Sequence, residues 1–264
     1  MDYELLCTKV VAIARLTGNF IRKESMGFDA SAIETKGLND LVSYVDKNAE
    51  KQLTRNLKKL LPEAGFTTEE KTETSRGETY NWIIDPLDGT TNFIHGIPVY
   101  SISIALYEAD QPVIGVVYEI NRSEMFYAYK GGGAFLNNRK ISVSDRSRLA
   151  DSLLATGFPY YAFEHQEQYM DLLGSLMRKC HGLRRMGSAA VDLAYVACGR
   201  FDAFFEYNLN AWDVAAGAYL VQQAGGTVSN FKGGEEFIEE REILAGNGKV
   251  EAELLDEMRL HFNK

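Results

Sequence analysis

The change in hydrophobic periodicity along the chain is the feature that most constrains its fold. Apolar residues recur at steps of three and four over Tyr3–Lys23 and Tyr44–Leu61, which predicts two amphipathic helices. The runs Tyr100–Tyr107, Pro112–Ile120 and Glu124–Lys130 are rich in β-branched and aromatic residues and are separated by short polar turns. They predict an antiparallel meander, which must bury its apolar face against helices.

After Ala150 the pattern alternates between strand and helix. Short strands are predicted in LLATG, FDAFFEY, VSN and EILAGN, and a short edge segment is predicted earlier, in KISV. Helices are predicted over Glu164–Cys180, Ser188–Cys198, Ala211–Ala224 and Val250–Phe262. We therefore expect an α+β or α/β protein in two sheet-containing halves, residues 1–148 and 149–264, divided near Arg146–Ala150 and packed as one layered unit.

Composition excludes several classes of function. A net charge of −9 over 264 residues disfavours tight, non-specific nucleic-acid binding. No apolar run approaches the length of a membrane span, and acidic residues stand at the N-terminus where a signal peptide would be basic. Three widely spaced cysteines indicate reduced thiols, so we expect a cytoplasmic protein.

The most informative segment is Trp82–Asn92, WIIDPLDGTTN. An apolar strand delivers Asp85, Pro86 fixes the backbone, and Asp88 follows before a turn that begins at Gly89. Two carboxylates beside a helix start are able to hold a divalent cation while backbone N–H groups receive a phosphate. Magnesium suits such a site, because it prefers hard oxygen ligands and retains waters, one of which can act as the nucleophile.

Each acidic segment also has a plainer explanation. Asp-Pro and Asp-Gly are ordinary loop dipeptides, and Asp88 is suited to cap the following helix. Thr67–Glu70 is readable as a solvated charge cluster, and Asp213 as a carboxylate favoured by a helix dipole. Three acids that each adjoin an apolar element favour a common site over three unrelated explanations.

These segments resemble the inositol monophosphatase family. Trp82–Asn92 is similar to its signature W-[IV]-[IV]-D-P-[ILV]-D-G-T-x-N, and Trp212–Gly217 with Ala224–Gly226 resembles W-D-x-A-A-G followed by A-G-G. Lys36 and Asp40–Asp46 resemble a third, earlier motif, D-x-V-T-x-x-D, preceded by a lysine. The resemblance implies a layered α-β-α-β-α sandwich of the sugar phosphatase type.

The resemblance also implies the roles of site residues. The implied metal ligands are Glu69, Asp85, Asp88, Asp213 and the carbonyl of Leu87. The match to the family's motif is weakest at Glu69, because Thr68 stands where the family has glycine. Glu70 is the alternative ligand. The implied catalytic residues are Glu69 and Thr90, which would hold the attacking water, with Thr90 supported by Asp46. The implied substrate contacts are Asp88, Gly89, Thr90, Gly187, Ser188, Ala189, Glu206 and Asp213.

The expected activity is that of a magnesium-dependent phosphoric monoester hydrolase, in which an activated water attacks in line without a phosphoenzyme. The resemblance favours myo-inositol monophosphate as substrate, and it implies lithium sensitivity and a homodimer. Fructose 1,6-bisphosphate, 3′-phosphoadenosine 5′-phosphate and histidinol phosphate are alternative substrates. Regulatory RNA or protein binding on the same fold, and a catalytically inactive homologue, are alternatives of a different class.

Residues near these motifs leave two smaller questions open. His95 lies close to the first signature, although a loop histidine beside a core strand is more often structural than catalytic. Arg184 and Arg185 precede Gly187 and are as consistent with a contact to substrate or to a partner subunit as with a solvated pair. Substrate choice is expected to depend on the region of Gly187 and Glu206 and on the loops around Phe158–Phe163, where the sequence carries no diagnostic motif.

Overall fold

The N-terminal region consists of two helices joined through a β-hairpin. The structure is a computed structural model that describes residues 1–28, 33–37, 40–159 and 163–262, with the backbone alone for 33–37 and 40–42. The elements are α1 (Tyr3–Ser25), β1 (Ile33–Gly37), β2 (Asp40–Ser43) and α2 (Tyr44–Leu60). Asp2 caps α1 by accepting a hydrogen bond from the backbone N–H of Leu5. Both helices lie where the apolar spacing predicts them, whereas the hairpin was not predicted.

A seven-stranded sheet follows, with its strands in sequence order. The strands are β3 (Gly65–Thr68), β4 (Tyr80–Asp88), β5 (Ser101–Glu108), β6 (Gln111–Glu119), β7 (Glu124–Tyr129), β8 (Gly133–Leu136) and β9 (Arg139–Lys140), and the short helix α3 (Thr90–Ile94) lies between β4 and β5. Strands β5, β6 and β7 form the predicted antiparallel meander. Strand β3 pairs parallel to β4 at one edge.

The prediction of an edge strand in KISV, residues 140–143, is mostly wrong, because only Lys140 belongs to a strand. Strand β9 ends at Lys140, and the backbone N–H of Ile141 still donates to the carbonyl of Ala134 in β8 before the chain leaves the sheet. The backbone N–H of Val143 donates a hydrogen bond to the carbonyl of Ala224, just past a later helix. Val143 therefore bonds to a distant part of the chain and not to the neighbouring strand, a tertiary contact that outweighs its strand propensity.

A five-stranded sheet lies in the second part of the chain, with the order β11-β10-β12-β14-β13. Its elements are β10 (Leu153–Thr156), α4 (Gln166–Lys179), β11 (Gly182–Arg184), α5 (Ala189–Ala197), β12 (Ala203–Tyr207), α6 (Ala211–Gln223), β13 (Thr227–Ser229), β14 (Glu242–Gly246) and α7 (Val250–Phe262). Apart from β11, each of these elements was predicted within three residues of its bounds. Strands β10 and β12 are parallel, while β14 runs antiparallel to its neighbours.

The elements stack in five layers around three apolar cores. Helices α1 and α2 cover one face of the seven-stranded sheet, α5 and α6 lie between the two sheets, and α4 and α7 cover the outer face of the five-stranded sheet. Every residue of α5 is buried, as expected of a helix enclosed on both sides. The α-β-α-β-α sandwich implied by the resemblance is therefore confirmed, whereas the domain division at residue 148 stays a prediction.

Candidate metal and substrate site

Strand β4 brings two carboxylates to one face of the sheet by means of an irregular register. Asp85 pairs with Ser103 and Asp88 pairs with Ser101, so two residues of β4 lie opposite one residue of β5. Residues three apart face opposite sides of a regular strand, and the extra residue of a bulge returns them to the same side. The backbone N–H of Leu87 donates to Oδ1 of Asp85 at 2.8 Å inside this bulge.

A third carboxylate comes from the start of α6. Asp213 lies in the first turn of this helix, and its Oδ2 accepts a hydrogen bond from the backbone N–H of Asn210 at 2.6 Å. The helix dipole favours an acid at this position. One carboxylate oxygen from each of Asp85, Asp88 and Asp213 lies within 4.8 Å of the other two, which forms a group able to hold a metal ion.

The three carboxyl groups are held in an environment that opposes their charge. Burial, together with the carboxylates of Glu69, Asp88 and Asp213, raises the pKa of Asp85 well above its ordinary value. Burial raises the pKa of Asp88 to about 6, and burial with the charge of Asp88 raises that of Asp213 to about 7. A divalent cation among them would reverse these shifts, because it favours the ionised forms.

Glu69 follows directly after β3 and lies beside the same group. Its backbone N–H donates to the carbonyl of Ile84 at 3.3 Å, and its carboxylate is close enough to raise the pKa of Asp85. Glu69 lines the cavity described below. Glu70 donates its backbone N–H to Glu50 and is not among the lining residues in the described part of the chain. This geometry favours Glu69 over Glu70 as the acid nearest the cluster.

The turn after β4 positions a hydroxyl group. Gly89 has φ of 95°, and a Cβ there would lie 3.0 Å from the carbonyl oxygen of Val99, so the turn requires glycine. The hydroxyl of Thr90 lies 2.8 Å from Oδ1 of Asp46 and 2.9 Å from the carbonyl oxygen of Leu87. Asp46 is buried in α2, which raises its pKa, and hydrogen bonds from Ser43 and Thr90 partly offset the shift.

The second part of the chain supplies the opposite wall of a cavity of about 450 Å³. Gly187, Ser188 and Ala189 at the start of α5 line it, as does Glu206 on β12. The Ser188 hydroxyl and the backbone N–H of Ala190 both donate to Oδ2 of Asp88, at 2.6 and 2.8 Å. The structure therefore brings together the residues to which the resemblance gives metal, catalytic and substrate roles: each lines the cavity except Asp46, which contacts it through Thr90.

Several cavity residues were not predicted. Lys71, Asp192 and Asn208 line the cavity without belonging to a signature segment, and no signal in the single sequence marks them. Arg185 also lines it, whereas Arg184 is not among the lining residues, and both side chains are exposed. His95 ends α3, is exposed and does not line the cavity.

Two predicted features, the specificity loop and Lys36, involve residues that the structure describes only in part. Phe158 and Pro159 line the cavity, but residues 160–162 of the predicted specificity loop lie outside the described residues. Lys36 lies in β1, where the backbone alone is described. Among the described residues, no helix is both long and apolar enough to cross a membrane.

The donor set fits a hard divalent cation. Asp85, Asp88 and Asp213 offer carboxylate oxygens at close range, and Glu69 and Leu87 line the same cavity, with a fourth carboxylate and a backbone carbonyl. Oxygen donors of this kind suit magnesium, and the described group contains no sulfur or imidazole donor that would favour zinc. Fold and site thus define a layered α/β protein with an acidic cavity able to bind a metal.

Comparison with known proteins identifies the family. The Inositol monophosphatase family matches residues 2–261, so the chain belongs to this family. It is 39% identical over 256 residues to the inositol-1-monophosphatase of Mesorhizobium japonicum, covering 97% of this chain and 96% of the relative. It is 43% identical over 250 residues to the Nus factor SuhB of Escherichia coli K12, covering 94% of each.

A solved structure gives the same result for the fold. The extragenic suppressor protein suhB from Bartonella henselae superposes with a TM-score of 0.91 at 39% identity, covering 96% of this chain and 97% of that one. Membership of the family supports phosphatase activity on a small phosphate ester, but it does not specify the substrate.

Proposed function

We propose that the protein hydrolyses a phosphate monoester in a reaction that depends on magnesium. The observation that carries this proposal is the convergence of Asp85, Asp88 and Asp213 beside a cavity. Burial raises the pKa of all three, and neighbouring carboxylates raise it further at Asp85 and Asp213. Such a group repels a phosphate dianion unless cations are present. The bound cation would neutralise the phosphate and lower the pKa of a water molecule.

The proposed role of Thr90 is to orient the attacking water. The Thr90 hydroxyl has one proton to donate and two acceptors within reach, Asp46 and the Leu87 carbonyl. If the Leu87 carbonyl serves as a ligand, Thr90 donates to Asp46. Its lone pairs then accept a hydrogen bond from the attacking water and orient it towards phosphorus.

We propose myo-inositol monophosphate as the substrate. Support comes from the Mesorhizobium relative named inositol-1-monophosphatase and from two buried acids on the second wall, Asp192 and Glu206. Burial raises the pKa of the Glu206 carboxyl well above its ordinary value, while Arg185 acts in the opposite direction. Carboxyl oxygens in a cavity accept hydrogen bonds from ring hydroxyl groups, as a polyol requires.

The test is phosphate release from inositol 1-phosphate with and without magnesium, in the wild type and in Asp88→Asn. We expect release that requires magnesium and is lost in the variant. Fructose 1,6-bisphosphate, 3′-phosphoadenosine 5′-phosphate and histidinol phosphate are measured beside it, and faster turnover of one of these would move the substrate assignment. No magnesium-dependent release from any of them would contradict the proposal.

A regulatory role is the second candidate, because the E. coli relative named Nus factor SuhB is 43% identical along 94% of each chain. Binding of RNA or of a protein partner by Asp88→Asn at wild-type affinity would support a role independent of the catalytic carboxylates. A homodimer, a cytoplasmic location and lithium sensitivity stay predictions. Light scattering, cell fractionation and inhibition by lithium chloride test them in turn.

A further inference from the structure

Helix α2 carries a second buried carboxylate one turn beyond Asp46. Glu50 is fully buried, and its oxygens lie within hydrogen-bonding distance of four donor groups. Oε2 accepts from the backbone N–H of Glu70 at 2.7 Å. Oε1 lies 2.7 Å from both the backbone N–H and the hydroxyl of Thr72, and 2.9 Å from the hydroxyl of Thr68.

All four donors belong to one short segment, Thr68–Thr72, which we call the β3 exit loop. Burying a carboxylate is costly unless it is hydrogen-bonded, so the partners of Glu50 are part of the reason that it is tolerated there. Two of the partners are backbone N–H groups, on Glu70 and Thr72. These contacts constrain the path of the backbone as well as the side chains.

The residue between these two N–H groups has a sparsely populated conformation. Lys71 has φ of 54°, in the left-handed region that non-glycine residues rarely adopt. Such a residue persists only when its surroundings hold it there. Glu50 binds the backbone on both sides of Lys71 and therefore supplies that restraint.

The β3 exit loop carries two residues of the cavity, Glu69 and Lys71. Glu50 itself is not among the lining residues of the described chain, so it acts through the loop. Thr68, which replaces the glycine usual in the family, contributes its hydroxyl to this same contact. We infer that Glu50 is a positioning residue that holds Glu69 at the metal site; this rests on the function proposed above.

Asp46 and Glu50 stand four residues apart, on one face of α2. Asp46 holds Thr90, and Glu50 holds the loop that carries Glu69. A single helix thus supports two sides of the site from behind. Loss of either support is expected to loosen one side of the site and leave the other in place.

The test compares Glu50→Gln with the matched control Glu119→Gln. Glu119 is also a buried carboxylate that accepts from a loop, at Asn121 and Arg122, but it lies at the β6–β7 turn, outside the cavity lining. Magnesium binding is measured by calorimetry, and the magnesium concentration for half-maximal phosphate release is measured in parallel. We expect Glu50→Gln to weaken magnesium binding by about 10- to 100-fold, as for loss of an outer partner of a metal ligand. Glu119→Gln should bind magnesium as the wild type does.

A double-mutant cycle identifies the route of the effect. Once Glu69 is replaced in Glu69→Gln, the further change Glu50→Gln should cause no additional loss of magnesium affinity. Additive losses would overturn the inference, as would wild-type affinity in Glu50→Gln. Thr72→Val removes one hydroxyl donor and serves if Glu50→Gln does not fold; it should show a smaller loss of the same kind, and wild-type affinity in it would count against the inference. A wild type that neither binds magnesium nor releases phosphate would instead refute the proposed function.

Discussion

Ser188 donates a hydrogen bond to Asp88 at 2.6 Å and so joins two residues that lie one hundred positions apart in the sequence. Asp88 ends strand β4 of the seven-stranded sheet, and Ser188 caps helix α5 between the sheets. The same serine oxygen accepts from the backbone N–H of Val191 at 3.3 Å. One hydroxyl therefore both starts a buried helix and holds an acid of the candidate metal group.

Replacing this serine should cost stability and metal affinity together. Ser188→Ala removes a helix cap and a hydrogen bond to a charged group, so we expect a loss of about 1–2 kcal/mol in the free energy of unfolding, measured in urea. The pKa of Asp88 should rise further, because the hydrogen bond from Ser188 lowers it. Ser188→Thr retains the hydroxyl and is the control. Equal stability of Ser188→Ala and the wild type would contradict the double role.

Removing one charge from the acidic group should raise the stability of the metal-free protein and lower its activity. In Asp213→Asn the amide oxygen is still able to accept the hydrogen bond from Asn210, while repulsion with Asp88 disappears. The metal-free variant should melt above the metal-free wild type, by about 2–4 °C for each kcal/mol of repulsion relieved. Phosphate release should fall by more than about 100-fold, because Asp213 is a proposed metal ligand. Loss of a ligand should cost more than the loss of a residue that only hydrogen-bonds to a ligand. A lower melting temperature in chelator would argue against repulsion in the native state.

The raised pKa values predict a dependence of stability on pH. Asp88 and Asp213 titrate at about 6 and about 7 in the folded chain, above the ordinary value of 3.8, so the folded state binds more protons between pH 4 and pH 7. Stability of the metal-free protein contributed by these groups therefore falls as pH rises through that window. Magnesium keeps the same carboxylates ionised and should remove the loss.

Thermal unfolding in chelator and in magnesium, at pH 5, 6, 7 and 8, measures this effect. The difference between the two melting temperatures should widen from pH 5 to pH 8 and reach about 5–10 °C at a magnesium concentration 100 times Kd. In Asp213→Asn, one titrating group is gone and the widening should be smaller. A difference that does not change with pH would contradict the prediction.

Much of the fold was predictable because its helices and central strands bury distinct faces. The spacing in α1 and α2 and the β-branched runs of β5–β7 reflect burial directly. The β3 strand and the β1–β2 hairpin were missed because their strands are only four or five residues long and carry little periodic signal. In addition, β3 takes its partner, β4, from beyond an intervening segment. The end of β9 was wrong because Val143 is held by Ala224, a contact that no local pattern reports.

The residues of the candidate site were likewise predicted only in part. Asp85, Asp88 and Asp213 were found because each stands beside an apolar element in a recognisable motif. The presence of Asp85 and Asp88 on one face of β4 depends on the bulge at Pro86 and Leu87, which spacing alone does not reveal. Lys71 and Glu50 were missed because their importance depends on the path of the β3 exit loop, and a charged residue in a charged segment looks like solvated surface.

Lys71 should contribute to substrate capture. It is exposed and lines the cavity beside a cluster of acids, so its ammonium group is placed to attract a phosphate dianion. Lys71→Gln should raise KM by up to about fivefold at low salt, because an exposed charge pair contributes at most about 1 kcal/mol, with kcat little changed. The effect should shrink as ionic strength rises. Lys130→Gln, at an exposed ion pair with Glu108 outside the cavity lining, is the control. An unchanged KM for Lys71→Gln at low salt would exclude this role.

Thr90 provides the most direct test of how the attacking water is held. Thr90→Val keeps the side-chain volume but removes the hydroxyl that lies 2.8 Å from Asp46. We expect kcat to fall by about 10²- to 10³-fold, the range for losing one preorganised hydrogen-bonding group, with KM nearly constant. Thr90→Ser should retain most activity, and Asp46→Asn should lie between them, since its amide oxygen is still able to accept from Thr90 but carries no charge. If Thr90→Val and Thr90→Ser lose activity equally, packing of the threonine methyl group matters and its hydroxyl does not orient the water.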